Sequence, residues 1–503
     1  MTVPSSRIRK LSSLPTNPDG AYVLVYMTAT RRLSYNYTLE RGVVLAREHG
    51  VPLVILEALR CGYLYASDRH HSFIVQGMAE HAQTLSGSPV LYHPWVEPEQ
   101  GAGKGLLAAW AKQAVAVVTD DWPGFFLPRA LKAAARHVPC AFEAVDSVGL
   151  LPLSASPKPF ARAHDFRRFF QRNIGPHLED MPDAEPLAAL PAEPRLREIP
   201  QHIAKRWPPA SADLLSGRPD ALRSLPIDHS VAPTDLTGGS TAARQQWKTF
   251  LDGPLDSYVE GRRIMSSHAS SGLSPWLHYG HISPHRMFTD ITARYGDVPD
   301  PNARPMGKRA GWWGLPEDIE AFLDQVFTWR ELGQHFQHHV PNASDYDTLP
   351  AWARKTLEEH ADDPRPQLVS LDDLTACRSP DPIWNAAQHQ LVHDGRMHNY
   401  LRMLWGKRIL EWTRHPREAL EFMFELNDRF ALDGRDPNSV AGITWVLGRF
   451  DRAWGPERPI YGKIRYMTST NTARKLKSTP EQIRAWTTPE PPRKATSTSR
   501  PKP

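Results

Sequence analysis

Through the first quarter of the chain, short continuous apolar runs alternate with segments of helical period. Tyr22–Tyr26, Val51–Leu56, Val90–Tyr92 and Val115–Thr119 are apolar with little interruption and rich in β-branched and aromatic residues. Tyr37–His49, Arg69–Leu85 and Lys104–Lys112 carry helical patterning instead. Strands that are apolar throughout are buried on both faces, so the pattern predicts an α/β domain over 21–180 with a doubly wound, Rossmann-like parallel sheet. Residues 1–20 are polar and rich in Pro and Ser, and are expected to form a flexible tail. Between 181 and 243 the periodicity fades among Pro182–Pro200, Trp207-Pro-Pro-Ala and Leu215-Ser-Gly-Arg-Pro, which predicts a long interdomain linker over the surface.

From 244 to 477 the signals are almost entirely helical, and an all-α domain is expected there. Trp247–Tyr258, Pro284–Tyr295, Asp318–His335, Leu349–Glu358, Asp381–His393 and Pro416–Asn427 follow one another with short Pro/Gly/Asp turns. Within this series Met397, Leu401, Leu404, Trp405, Ile409 and Trp412 recur at three- and four-residue steps, one buried face of a single helix. The same helix is expected to carry Arg396, Arg402, Lys407 and Arg408. The Pro/Thr/Ser/Lys/Arg-rich residues 478–503 are expected to be a disordered basic tail.

Composition narrows the classes. A chain of 503 residues with 41% hydrophobic and 23% charged residues is globular and too long for one core. Its formal charge of +5 permits an anionic partner without demanding one. Cys61, Cys140 and Cys377 lie far apart and form no C-x-x-C pair, so neither a cysteine metal site nor a disulfide framework is expected. No run of 18 apolar residues and no signal-peptide core is visible; a cytosolic or nuclear protein is expected (nucleoid-associated if bacterial), with no membrane partner.

The candidate chemistry lies in the helical part. No G-x-G-x-x-G follows the first strand and no Walker loop is present, so phosphates would have to be held elsewhere. Ser270-Ser-Gly-Leu-Ser274 gathers hydroxyls and amides just ahead of a helix, a plausible anion cradle as well as an ordinary cap. Gln325 and Trp329 are one turn apart and share a face. Asn427–Asn438 is turn-rich, with Asp-Gly and Asp-Pro-Asn, and leads to the aromatic run Trp445–Trp454. Arg458 to Lys477 then carries six basic and no acidic residues, set beside Trp454 and interleaved with Tyr461 and Tyr466. Such a run is either a solvated face or a phosphate-contacting stretch beside base-stacking platforms. No Ser-His-Asp order, H-E-x-x-H or paired carboxylates points to hydrolysis.

Several motifs occur together in one order: Leu273-Ser-Pro-Trp-Leu-His-Tyr-Gly-His-Ile-Ser283, Trp329-Arg-Glu-Leu332, Trp384-Asn-Ala-Ala-Gln388, Gly395-Arg-Met-His398, Leu404-Trp-Gly-Lys-Arg-Ile-Leu-Glu-Trp412, Leu432-Asp-Gly-Arg-Asp-Pro-Asn438 and Gly462-Lys-Ile-Arg-Tyr-Met467. On them the chain resembles class II cyclobutane pyrimidine dimer photolyases of the photolyase–cryptochrome superfamily. The N-terminal third matches more weakly, through Met27, Arg32, Asn36 and Leu39. The resemblance implies a Rossmann-like antenna domain before a helical FAD-binding domain, acting as a monomer on UV-damaged DNA that contains pyrimidine dimers. An 8-hydroxy-5-deazaflavin antenna is the family-level expectation.

By the same resemblance Tyr258, Ser270, Ser271, Gly272, Leu273, Ser274 and Arg330 would meet FAD phosphates and ribose. Asp433, Gly434 and Arg435 would lie along the flavin, with Arg402 paired to Asp433, and Asn427 would face flavin N5. Trp384, Trp405 and Trp412 would pass an oxidising hole outward and leave FADH⁻, which would donate an electron to a flipped-out dimer and split it. Trp329, Met403 and Trp445 would wall the lesion pocket, and Arg262, Arg452 and Arg465 would meet the DNA backbone or the emptied duplex. Two positions depart from the family pattern. Gln325 stands where a glutamate usually contacts the lesion, with Asp324 pointing about 100° away on the helix, and Arg263 replaces an asparagine. A cryptochrome-like photoreceptor without repair activity is the alternative, and a cofactor-free nucleic-acid-binding protein the blandest one.

Overall fold

The computed structural model describes residues 2–264, 269–296, 307–479 and 481–483. Six strands, β1 (Ile8–Lys10), β2 (Tyr22–Met27), β3 (Leu53–Leu59), β4 (Leu91–Val96), β5 (Ala114–Asp120) and β6 (Ala141–Val145), form one sheet in the order β1-β6-β5-β2-β3-β4. All neighbouring pairs are parallel except β1 with β6. Central β2 and β5 are buried along almost their whole length, as their unbroken apolar sequences require. The chain passes from β2 to one side of the sheet and returns to the other side at β5, which makes the β2–β5 crevice the switch point where open α/β sheets bind ligands. Here Asp120 occupies it: its carboxylate accepts the amides of Thr28, Ala29 and Thr30 at 2.7, 2.8 and 3.2 Å.

Two expectations for this half are corrected. Residues 1–20 are not a loose tail, because Ile8–Lys10 adds an edge strand and Arg7 is 2% exposed. The Arg7 guanidinium donates to the carbonyls of Asp146, Gly149 and Leu150 and lies 4.4 Å from the Tyr37 ring centroid. The 181–243 connector is also not a surface strap throughout. Leu215, Leu222 and Leu225 enter the core shared by the two domains, while Ile203 and Trp207 pack beneath the sheet domain. Short helices at Gln201–Arg206, Ala212–Leu215 and Pro219–Leu222 deliver them.

The helical part follows the predicted series, with helices at Ser240–Leu251, Pro284–Tyr295, Ala351–Glu359, Pro382–Asp394, Asn399–Trp412 and Pro416–Phe430. Two features were not foreseen. A π-helical turn, Asp324–Trp329, interrupts the segment Glu317–His339. Pro437–Val446, read as a loop running into an aromatic stretch, is a helix whose N-cap Asp436 accepts the Asn438 amide. An Asp-Pro pair at N-cap and N1 starts a helix as readily as it makes a turn.

The domains interlock through backbone contacts. Gly280 has φ +74, and a Cβ there would stand 2.2 Å from the Ala29 carbonyl oxygen, so only glycine fits this crossing. Arg69, on the Asp68–Leu85 helix, donates to the carbonyls of Ala232, Leu391, Val392 and Phe430, tying sheet domain, connector and helical domain together. No helix among the described residues is long and apolar enough to cross a membrane.

Candidate cofactor and nucleic-acid cleft

The Asn399–Trp412 helix carries two kinds of surface. Leu401, Leu404, Trp405, Ile409 and Trp412 face the core, each at most 4% exposed, as their spacing predicts. Arg402 and Met403 reach a cavity of about 2160 Å³. That is well above the roughly 300–1,000 Å³ of a typical small-molecule pocket, so it has room for a large ligand and part of another.

One set of lining groups is polar. Ser270–Ser274, Gln246, Tyr258, Arg262, Arg396, His398, Arg402 and Asp433 all border the cavity. Gly272 sits at φ +63 with Arg396 Nη1 3.4 Å from where a Cβ would be, and Gln246 holds the loop by donating to the Ser271 carbonyl at 2.8 Å. Arg402 pairs with Asp433 at 3.2 Å, the partner predicted for it. His398 Nδ1 accepts the Tyr400 amide, which leaves Nε2 to donate to the Arg262 carbonyl at 3.1 Å. Burial lowers the His398 pKa and favours this neutral form. Arg262 Nε and His389 Nδ1 are buried polar atoms without a protein partner, and both residues border the cavity. Buried polar atoms left without a protein partner beside a cavity are consistent with a polar ligand there.

The second set is aromatic and basic. Gln325, Trp329, Met403, Trp445, Trp454, Arg452, Arg465 and Tyr466 line the same cavity. The π-turn sorts neighbours here: Asp324 turns inward to a bidentate pair with buried Arg167 at 2.7 and 3.0 Å, while Gln325 and Trp329 face the cavity. Such single π-turns concentrate at functional sites. Arg452 and Arg465 lie 4.3 and 4.0 Å from the Trp454 ring centroid, and Arg465 also makes a bidentate pair with Asp451. The basic run is thus partly neutralised from outside it, with Lys463 on Glu457 and Lys477 on Glu260.

Directly behind this lining, Trp384 is the middle of three indoles. Its ring is parallel to Trp405 at 6.4 Å and perpendicular to Trp412 at 5.5 Å. Trp384 Nε1 donates to the Trp405 carbonyl and Trp405 Nε1 to Gln388 Oε1, so both ring orientations are fixed.

Five further expected site residues stand elsewhere. Asn427 is 3% exposed and reaches the lining only through Ser439, donating to its Oγ at 2.8 Å. Arg330 comes just after the π-turn and faces the sheet domain, donating to the Val148 carbonyl. Arg435 points away from the cavity, donating to the Tyr279 hydroxyl and lying over Tyr63 and Phe125 at 5.3 and 5.4 Å. Gly434 packs against the Asn427–Asp428 backbone, where a Cβ would come within 3.0 Å of the Asn427 oxygen. Arg263 pairs with Glu260 and is not part of the lining. Conversely, Arg396, Gln246 and Ser439 had no assigned role; the glycine in Ser-Ser-Gly-Leu-Ser was the available hint of a neighbour close to that loop.

No protein-family model matches the chain. It is 31% identical over 481 residues to a deoxyribodipyrimidine photo-lyase of Methanothermobacter thermautotrophicus, spanning 94% of this chain and 96% of the relative. It is 31% identical over 480 residues to a protein of the same name from Potorous tridactylus, spanning 93% and 82%. In fold it is similar to a class III photolyase from Agrobacterium tumefaciens, with TM-score 0.65 and 18% identity over 94% of this chain and 88% of that one. A Synechocystis cryptochrome matches with TM-score 0.65 and 14% identity, over 92% and 88%.

Proposed function

The chain belongs to the deoxyribodipyrimidine photo-lyase family of the photolyase–cryptochrome superfamily, and from that premise we propose that it is a class II enzyme repairing cyclobutane pyrimidine dimers in DNA under blue light. The carrying observation is that one cavity joins a polar cradle to a tryptophan–arginine wall. The donor set of the cradle fits FAD: serine hydroxyls and amides, Arg262 with an unpartnered buried Nε, Arg396, and the Arg402–Asp433 pair. Bound there in reduced form, FAD supplies a light-activated electron for splitting the dimer.

The protein's own part is positioning. Ser270–Ser274, Tyr258 and Arg262 would take the phosphates, and Arg402 with Asp433 the isoalloxazine. Asn427 acts from behind, orienting Ser439. Trp329, Met403 and Trp445 offer apolar surface to an extruded dimer and exclude water from it. Gln325 donates and accepts hydrogen bonds there without adding a negative charge. Arg452 and Arg465 supply sequence-independent attraction to phosphates. Trp405, Trp384 and Trp412 in series would resupply electrons to the cofactor.

A deazaflavin antenna would find Tyr63, Phe125 and Phe126 beside Arg60 and Arg435, near the carboxyl edge of the sheet. The amide nest at the switch point is already taken by Asp120. Absorbance and fluorescence of chromophores released from purified protein test flavin and antenna together.

The deciding experiment illuminates reduced protein with dimer-containing DNA and counts dimers. Their loss is the expected result, and an unchanged count overturns the repair reading. Gln325 in place of the family's glutamate favours the cryptochrome-like second reading, which predicts flavin photochemistry with unchanged dimers.

A further inference from the structure

Lys407 is 0% exposed, on the same helix as the buried tryptophans. Its Nζ donates to the Val446 carbonyl at 2.5 Å, at the end of the Pro437–Val446 helix, and stands 5.1 Å from the Trp445 ring centroid. The two helices approach closely enough for this because Gly406 faces Val446, where a Cβ would lie 2.5 Å from Val446 Cγ2. Arg465 also approaches Trp445, at 5.5 Å, from the segment after it. Trp445 lines the cavity and Lys407 does not. An ammonium placed there fulfils two requirements: it satisfies a carbonyl in the last turn of the helix and holds the adjacent indole by its π-face.

We propose that Lys407 is a positioning residue for the lesion-side wall, holding Trp445 in the orientation that receives an extruded base, so that its charge sets the preference for damaged over undamaged DNA. This rests on the reading of the cleft as a damaged-DNA site. The electrostatic partners of Lys407 are Asp451, which favours its charge, and Arg465, which opposes it; burial outweighs both and pushes its pKa down to about 7. The Tyr461 hydroxyl donates to the Lys407 carbonyl and anchors the backbone. Near neutrality the contact is therefore poised to lose its cationic character as pH rises, while a neutral amine can still donate to Val446.

The test measures equilibrium binding of full-length protein to dimer-containing and undamaged duplexes from pH 6 to 9 at fixed ionic strength. In the parent protein the preference for the dimer should fall about fivefold, the size of one cation–π contact of ~1 kcal/mol. Lys407→Met, which fills a similar volume without charge, should show the lower preference at every pH. Where the parent prefers the dimer, a variant with the same pH profile as the parent would overturn the proposal. A second readout needs no DNA: the tryptophan emission lost on Trp445→Phe, compared with and without Lys407→Met. A transition near pH 7 that requires Lys407 supports the contact even if no preference for dimers is found, which would count against the repair reading alone. A pH-independent difference sinks the lysine proposal whatever the DNA result.

Discussion

Behind the cleft, Trp384, Trp405 and Trp412 pack against one another and among aliphatic side chains, and the Trp384 and Trp405 indoles donate to neutral acceptors. In its wall, Trp445 and Trp454 lie beside ammonium and guanidinium groups instead. The residue type is the same and the physical setting is opposite. A hole on an indole is a positive charge, so neighbouring cations raise its cost steeply where water is excluded, and neutral surroundings do not. The first set suits electron relay, the second suits stacking on bases and contact with phosphate.

The first prediction breaks the first set at its centre. Trp384→Phe keeps an aromatic ring in the gap between Trp405 and Trp412 but removes an oxidisable indole. Light-driven reduction of bound flavin, followed near 450 nm with an external reductant, should slow by at least about tenfold, or ~1.4 kcal/mol of barrier. Flavin content should be unchanged. Normal photoreduction would make these tryptophans ordinary core.

The second effect separates the regions by pH. Because the Lys407 pKa is lowered from 10.5 to about 7, the unfolded chain holds more protons than the native one between those values. Stability therefore rises as pH increases from 7 toward 10.5, and below 7 the full cost of burying the charge is present. Lys407→Met removes that cost, so denaturant unfolding should find it more stable than the parent near pH 7 by on the order of 3 kcal/mol. The gap should narrow as pH rises. Trp384→Phe should show no such pH-dependent gap.

These contrasts mark how far the sequence could be read. Apolar period located β2 to β5, the long helices and the buried face of Asn399–Trp412, because burial imposes that period directly. It missed β6 and β1. Ala141–Val145 is short and interrupted by Glu143, and Ile8–Lys10 is a charged edge strand whose Arg9 pairs with Asp121, so neither presents a sustained apolar run. The connector was misread because Gly217, Pro219 and Pro226 break the stretch that holds its buried leucines into pieces of one turn each, too short to show a helical repeat. Cleft residues on a known motif, such as Arg402, Met403 and Trp445, landed in the cavity. Arg330 and Arg435 did not, one following the π-turn and the other sitting at φ +68. A local backbone change re-aims a side chain without leaving any trace in hydrophobic spacing.

A third prediction sharpens the wall. Trp454→Ala removes the indole that two arginines approach and should weaken binding to dimer-containing duplex by about tenfold, within the ~1–3 kcal/mol seen for base–aromatic stacking. Photoreduction of the flavin should be untouched. If photoreduction falls instead, the division between relay and wall is wrong.

The smallest effect concerns charge within the wall. Arg465 is held by two bonds to Asp451, at 2.9 and 3.2 Å, so part of its charge is already balanced before any phosphate arrives. Asp451 meets Arg452 only through the backbone amide, and the Arg452 guanidinium keeps its place over Trp454 at 4.3 Å. Each phosphate neutralised contributes about 0.9 to the slope of log affinity against log salt. Arg452→Gln should therefore lower that slope by nearly the full amount, and Arg465→Gln by clearly less. Binding titrations at several salt concentrations measure both. A larger change for Arg465→Gln would mean that Asp451 releases its partner when DNA binds, and the ion pair would then be a latch for the wall rather than a fixed part of it.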